Sequence, residues 1–285
     1  MTTNESLPEL LSKTTQNGQE ISITAKWVAT KNGGLFRKSA ESKEMLKEWE
    51  DIHSEAKKHK GILSTEINHA LSKEAVLVHH VFKDSESLID YFAATATNHK
   101  QALMEVANPE LHLVRGTVLS NDVISAIRTK VKSTSFGEYL FGFVKNDYHR
   151  PDPEHAIQVT AKWTCKEGAS IDELIYWWQR VGTDAHDMEK GLVRYEVYRA
   201  VGEDALIIHE TFDDTKELQF HLSKGTAAKY KKDIDLIAAP ENYYFRGPVS
   251  WTIRTYSKFL GLPATYSSQG SHYVKQGGNY SDGLI

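Results

Sequence analysis

Residues 61–92, GILSTEINHALSKEAVLVHHVFKDSESLIDYF, align without a gap on residues 191–222, GLVRYEVYRAVGEDALIIHETFDDTKELQFHL. Eight of the 32 pairs are identical: Gly61/Gly191, Glu66/Glu196, Ala70/Ala200, Ala75/Ala205, His79/His209, Phe82/Phe212, Asp84/Asp214 and Leu88/Leu218. Most of the remaining apolar positions exchange Ile, Leu and Val. Upstream, Thr24-Ala25-Lys26-Trp27 recurs as Thr160-Ala161-Lys162-Trp163, preceded by Ile21-Ser22-Ile23 and Ile157-Gln158-Val159 with the same apolar–polar–apolar alternation. Downstream, Arg115-Gly116 matches Arg246-Gly247. Self-similarity over this span marks two diverged copies of one unit.

Each copy reads alike. An alternating first strand leads into a helical stretch, residues 43–59 in copy one and 171–188 in copy two. Their apolar stripes are Met45, Leu46, Trp49 and Ile52, and Leu174, Ile175, Trp178 and Val181. Gly61 and Gly191 follow, where a helix end favours a residue that tolerates positive φ. Two β-rich runs joined by LSKE or VGED predict a hairpin. Asp84 and Asp214 are N-cap candidates for a second helix. Closing strands are predicted at 111–118 and 243–248. The order β-α-β-β-α-β is the ferredoxin-like unit, with one sheet face covered by helices and the other bare. The predicted fold is therefore α+β: two such repeats that bury their bare faces against each other as a barrel within one chain. The divisions are an N-terminal tail at 1–19, a first repeat at 20–148, a proline-containing linker at 149–155, a second repeat at 156–262, and a partly mobile Gly/Ser/Tyr-rich extension at 263–285.

Composition narrows the class. Hydrophobic residues make up 40% and charged residues 25%, as in soluble globular proteins, and the net charge of −4 with no Lys/Arg-rich run argues against nucleic-acid or anionic-membrane partners. No apolar run reaches a membrane span, and the N-terminus lacks the pattern of a signal peptide, so a cytoplasmic location is expected. Cys165 is the single cysteine, which excludes an internal disulfide. His79-His80 and the His186 region lack a spacing that selects a metal.

Tyr195-Glu196-Val197-Tyr198, then His209-Glu210-Thr211-Phe212-Asp213-Asp214, then Leu218-Gln219-Phe220-His221-Leu222-Ser223 resemble the antibiotic biosynthesis monooxygenase superfamily. Its dimeric α/β-barrel domains run roughly Y-E-x-Y, E-x-W/F-x-D and A-L-x-x-H-x-x-S. The resemblance covers about 20–118 and 156–248. It implies an intramolecular version of that barrel, and members include cofactor-independent oxygenases, heme-degrading enzymes and isomerases. His221 matches a pocket histidine and Glu210 the acidic strand position, which the resemblance turns inward. Copy one departs there, with His80 for the Glu and Tyr91 for the His. A second histidine common in the family is replaced by Gly225.

Strand alternation gives the residues facing the barrel interior. Gln158, Thr160 and Lys162, then Arg194, Glu196 and Tyr198, then Tyr244 and Arg246 share that face. Periodicity leaves open whether His209 or Glu210 joins them. The candidate catalytic set is His221, Glu196 and Glu210, with Lys162, Arg194, Tyr198, Tyr244 and Arg246 as substrate-binding residues and no metal ligand. An electron-rich quinol or anthrone can reduce dioxygen itself once deprotonated, so such an enzyme needs a base and donors for the anion but no cofactor; His221, with an ordinary pKa near 6.5, suits the base. The expected partner is a small aromatic or apolar ligand, and the expected assembly an internal pseudo-dimer, with a further homodimer left open. The alternatives are a non-catalytic small-ligand-binding barrel and, in third place, a heme-binding or heme-degrading protein in which His99 lies nearest to an axial position.

Overall fold

The computed structural model describes residues 19–31, 40–71, 74–117, 119–129, 131, 133–145 and 154–274, the side chains of 95–98 and 268–274 excepted. The N-terminal tail up to 18, most of the linker (149–153) and the end of the extension (275–285) lie outside the described residues.

Repeat one comprises β1 (Ile21–Ala29), α1 (Ala40–Ala56), β2 (Ile62–Ala70), β3 (Ala75–Phe82), α2 (Ser85–Val106), β4 (Ala107–Gly116), α3 (Asn121–Arg128) and β5 (Thr134–Val144). Repeat two follows as β6 (Ile157–Cys165), α4 (Ile171–Met188), β7 (Leu192–Ala200), β8 (Ala205–Phe212), α5 (Thr215–Ser223), α6 (Thr226–Ile237), β9 (Ala238–Arg246), α7 (Trp251–Phe259) and β10 (Ala264–Val274). The hairpin strands fall where the alternation places them. Both N-caps form: Asp84 accepts from Ser87 N, and Asp214 from Lys216 N and Glu217 N.

Each repeat lays down a four-stranded sheet in the order β4-β1-β3-β2 or β9-β6-β8-β7. These sheets do not merely face each other. β5 runs parallel to β4 and antiparallel to β7 of the other repeat, and β10 runs parallel to β9 and antiparallel to β2. The ten strands thereby close into one barrel in which every edge is paired. The predicted α+β barrel of two ferredoxin-like repeats is present, with an extra helix and strand per repeat that the β-α-β-β-α-β reading lacked. The stretch read as a C-terminal extension supplies β10. Thr265, Tyr266, Tyr273 and Val274 favour a strand, and hydrogen-bonding partners on both sides carry it through the Ser/Gly-containing middle.

Helix stripes bury as the periodicity requires. Met45, Trp49, Ile52 and Ala56 of α1 pack on the first sheet, and Leu174, Trp178, Val181 and Ala185 of α4 on the second. A separate cluster of Leu77, Leu113, Tyr198, Ile207 and Tyr244 lies inside the barrel. Among the described residues no helix is long and apolar enough to cross a membrane.

Gly61 and Gly191 correct the sequence reading. Neither has positive φ. They are glycines because a Cβ would lie 2.1 Å from Ser87 Oγ, or 2.0 Å from Glu217 Cγ, where the first turn of the next helix crosses over. Space, not backbone conformation, selects them.

Candidate functional site

The eight residues predicted to share one cavity divide between two places. Six lie on the inner face of the barrel. Arg194 donates to Glu196 at 2.7 Å, Tyr198 donates to the other oxygen of Glu196 at 2.9 Å, and Arg246 donates to Glu66 of repeat one at 2.8 Å. Tyr244 donates to the Leu111 carbonyl at 3.2 Å. Lys162 pairs with Glu203 and Glu241 at 2.6 and 2.9 Å. Arg194, Glu196 and Tyr198 form one buried group and Arg246 with Glu66 another, each charge paired as charges taken out of water must be, whereas the carboxylates of Lys162 lie at the partly exposed barrel end.

Glu210 and His221 are elsewhere, in the layer between sheet and helices. Residues directly opposite in an antiparallel pair share a face. Glu210 stands opposite Val159 and Tyr195, both in the helix-facing core, whereas His209 stands opposite Thr160 and Glu196. The inward placement of Glu210 is thus corrected. His209 takes the inner face and is hydrogen-bonded to Thr160 at 3.0 Å, as His79 is to Thr24 in repeat one.

Around Glu210 and His221 lies a narrow cleft open to solvent. Val159, Trp163, Trp178, Tyr243 and Phe245 form apolar walls, with Lys231 also lining it. Trp163 meets Trp178 edge-on at 5.8 Å, and its indole N–H donates to Tyr243 Oη at 2.9 Å. His221 Nδ1 donates to Glu189 at 2.7 Å, and its Nε2 lies 3.4 Å from Glu210. One Glu210 oxygen is buried with no hydrogen-bond partner in the protein.

Glu189 escaped the sequence reading. It follows α4, where no periodicity marks it, and its second oxygen accepts from the backbone N–H and hydroxyl of Thr226 at 2.6 and 2.7 Å. A carboxylate thus sits at the N-terminus of α6, complementing that helix end. In repeat one the corresponding helix, α2, is continuous; in repeat two it breaks at Lys224-Gly225. A Cβ on Gly225 would lie 2.4 Å from Glu189 Oε1 and 2.8 Å from His221 Cα. The helix break and its glycine were the signals available in the sequence.

The electrostatics follow from this geometry. Burial disfavours a charged His221, but Glu210 and Glu189 outweigh it and hold its pKa above the ordinary 6.5. This corrects the reading of His221 as an unperturbed base: two carboxylates favour its protonated form. Burial also raises Glu189, yet its bonds to His221 and Thr226 bring it below the ordinary 4.5. Glu210 is raised above 4.5 by burial, partly offset by His221.

A pH signature is expected from these shifts. A raised histidine stabilises the fold fully below about pH 6.5 and loses that contribution as pH climbs through its folded pKa. A lowered carboxylate contributes above about pH 4.5 and loses it on acidification. The stability lost in His221→Gln should therefore be largest at about pH 5–6 and shrink toward pH 9, measured by thermal unfolding of both proteins. A difference that is flat in pH would contradict the charged pairing.

No family model matches the chain, and no curated protein matches it either. Solved structures do. A candidate monooxygenase from Fusobacterium nucleatum superposes with a TM-score of 0.52 at 12% identity, over 79% of this chain and 91% of its own. An anthrone oxidase-like protein superposes with a TM-score of 0.50 at 9% identity, over 80% of this chain and 90% of its own. At such identities the likeness establishes the fold: two ferredoxin-like repeats in an intramolecular dimeric α/β barrel, the architecture implied by the antibiotic biosynthesis monooxygenase resemblance.

Proposed function

We propose that the repeat-two cleft binds a small electron-rich aromatic, of the quinol or anthrone type, and oxygenates it as a monooxygenase with the substrate itself supplying the electrons. The observation that carries this reading is a buried carboxylate of raised proton affinity, Glu210, placed beside a histidine whose protonated form two carboxylates favour, on the wall of an aromatic cleft. A base whose pKa is moved toward neutrality is suited to proton abstraction.

In this mechanism Glu210 removes a proton from the anthrone methylene, and the imidazolium of His221, oriented by Glu189, stabilises the resulting anion. The anion transfers electrons to dioxygen and a C–O bond forms, giving a peroxide at the former methylene carbon. Glu210 returns its proton to the peroxide. It then removes the remaining C–H proton as the O–O bond breaks, leaving a carbonyl on the ring and releasing hydroxide, which takes up that proton as water. The carbon loses four electrons and dioxygen gains four, so one anthrone and one O₂ give one quinone and one water. The fold shared with an anthrone oxidase-like protein accommodates this chemistry, although fold by itself does not determine reaction.

The assay is oxygen uptake with dithranol (1,8-dihydroxyanthrone) in an oxygen electrode. The expected result is protein-dependent uptake, one O₂ per 1,8-dihydroxyanthraquinone formed. A rate no greater than spontaneous autoxidation would overturn the proposal.

A further inference from the structure

The last helix of each repeat starts the same way. Ser120 accepts from Val123 N at the head of α3, and Ser250 from Ile253 N at the head of α7, each at 3.3 Å. Buried and exposed positions then follow in the same order along both helices, with Val123 or Ile253 turned to the core. The outward faces differ in chemistry. Where α3 presents Asn121, Ser125 and Thr129 to solvent, α7 in register presents Trp251, Thr255 and Phe259. Trp251 is 72% and Phe259 83% exposed, more than any other large hydrophobic side chain among the described residues. Single apolar residues on a surface need no explanation, but two aromatics on one helix face, where the sibling helix is polar, mark a face that meets a partner.

Beside Trp251 lies a groove between α7, Leu71 at the end of β2, and Tyr266 on β10, completed by Arg254, Thr255 and Lys258. The three elements are tied together. The Leu71 N–H donates to the Tyr266 carbonyl at 2.8 Å, and Tyr266 Oη donates to the Arg254 carbonyl at 3.4 Å. The groove is thus formed before anything enters it, which lowers the cost of binding. None of its residues lines the repeat-two cleft. Its charge is of one sign. Arg254 and Lys258 make no ion pair among the described residues, and no Asp or Glu occurs between Glu241 and Asp282, in a chain whose net charge is −4.

That charge selects the occupant. A second copy docking through the same face about a two-fold axis would set two positive surfaces against each other. A bilayer is flat and does not fill a groove, and the negative net charge opposes approach to anionic lipid. Strand addition has no free edge to use, since every barrel strand is paired on both sides. We infer that the α7 groove is a docking site for an acidic segment of a partner protein, one that carries an apolar or aromatic side chain between its carboxylates. The apolar side chain would lie against Leu71, Trp251 and Tyr266 while the carboxylates meet Arg254 and Lys258. Trp, Tyr and Arg are the residue types that dominate the energetics of protein interfaces.

The test is selection of a random-peptide phage library on the full chain, with the doubly substituted Trp251→Asn/Phe259→Thr chain, which restores the α3 residues, as counter-target. Peptides that combine at least two Asp or Glu with Leu, Phe or Trp should be enriched. The most enriched one, fluorescein-labelled, should bind saturably in an anisotropy titration. Trp251→Asn and the charge reversal Lys258→Glu should each weaken it about tenfold or more, and raising NaCl from about 50 to 500 mM should weaken it too. Glu210→Gln should leave it unchanged, and both groove variants should unfold at the parent's temperature, because they alter exposed side chains. No enrichment over the counter-target, enriched peptides without acidic residues, or affinity kept in both groove variants would each overturn the inference. So would a dimer, or co-sedimentation with phosphatidylserine-containing vesicles, that the parent shows and Trp251→Asn loses, since the face would then belong to a second copy or to lipid.

Discussion

Dithranol-dependent oxygen uptake is expected to fall at least a hundredfold when Glu210 is replaced by glutamine, with the thermal midpoint little changed. Glutamine keeps the shape of the side chain and removes only its capacity to take a proton. General-base catalysis contributes roughly 10²–10⁴ to a rate, so the loss should appear chiefly in kcat and not in KM. The parent protein should show a bell-shaped pH dependence. Its rising limb should lie above the ordinary carboxylate value of 4.5, because burial raises Glu210, and its falling limb above 6.5, because the carboxylates raise His221. His221→Ala should lower the rate at least tenfold and abolish the falling limb. An unchanged rate in Glu210→Gln would remove it from the chemistry and leave the cleft a binding site.

The largest effect on stability is expected inside the barrel. Arg246 on β9 and Glu66 on β2 come from different repeats, 180 positions apart, and meet at 2.8 Å. Both are almost wholly buried. Glu66→Leu removes the carboxylate that Arg246 donates to in the barrel interior, and breaking such a buried pair should lower the unfolding free energy by up to about 3–5 kcal/mol. The double variant Glu66→Leu/Arg246→Met replaces both charges by apolar groups and should recover most of that loss, since a buried pair is worth little more than well-packed hydrophobic residues. Urea unfolding of the two variants beside the parent measures the difference. Equal destabilisation in both would mean that the pair acts through packing and not through charge.

How far the sequence reached is visible in particular residues. Met45, Trp49 and Ile52 are spaced to bury one helix face whatever the sheet beneath them. Asp84 and Asp214 cap because a short carboxylate just ahead of a helix can reach the free N–H groups of its first turn. Glu196 and Arg194 share a strand face by parity alone. Glu210 was not decidable in this way, since β8 has apolar residues on both faces; only the register that sets it opposite Tyr195 and Val159 fixes its side. His221 could be singled out, but its raised proton affinity depends on Glu210, whose side only the register fixes, and on Glu189, 32 positions away in sequence.

By itself, then, the sequence determined the duplication, the two sheet-and-helix units and the polar lining of the barrel, because each rests on local rules: side chains alternate along a strand and recur every three or four residues on a helix. Tertiary structure alone decided how β5 and β10 close the barrel and why the polar set splits between its interior and the cleft. Strand partners and register are chosen by backbone pairing between distant segments, and no local periodicity records which edge a strand will meet.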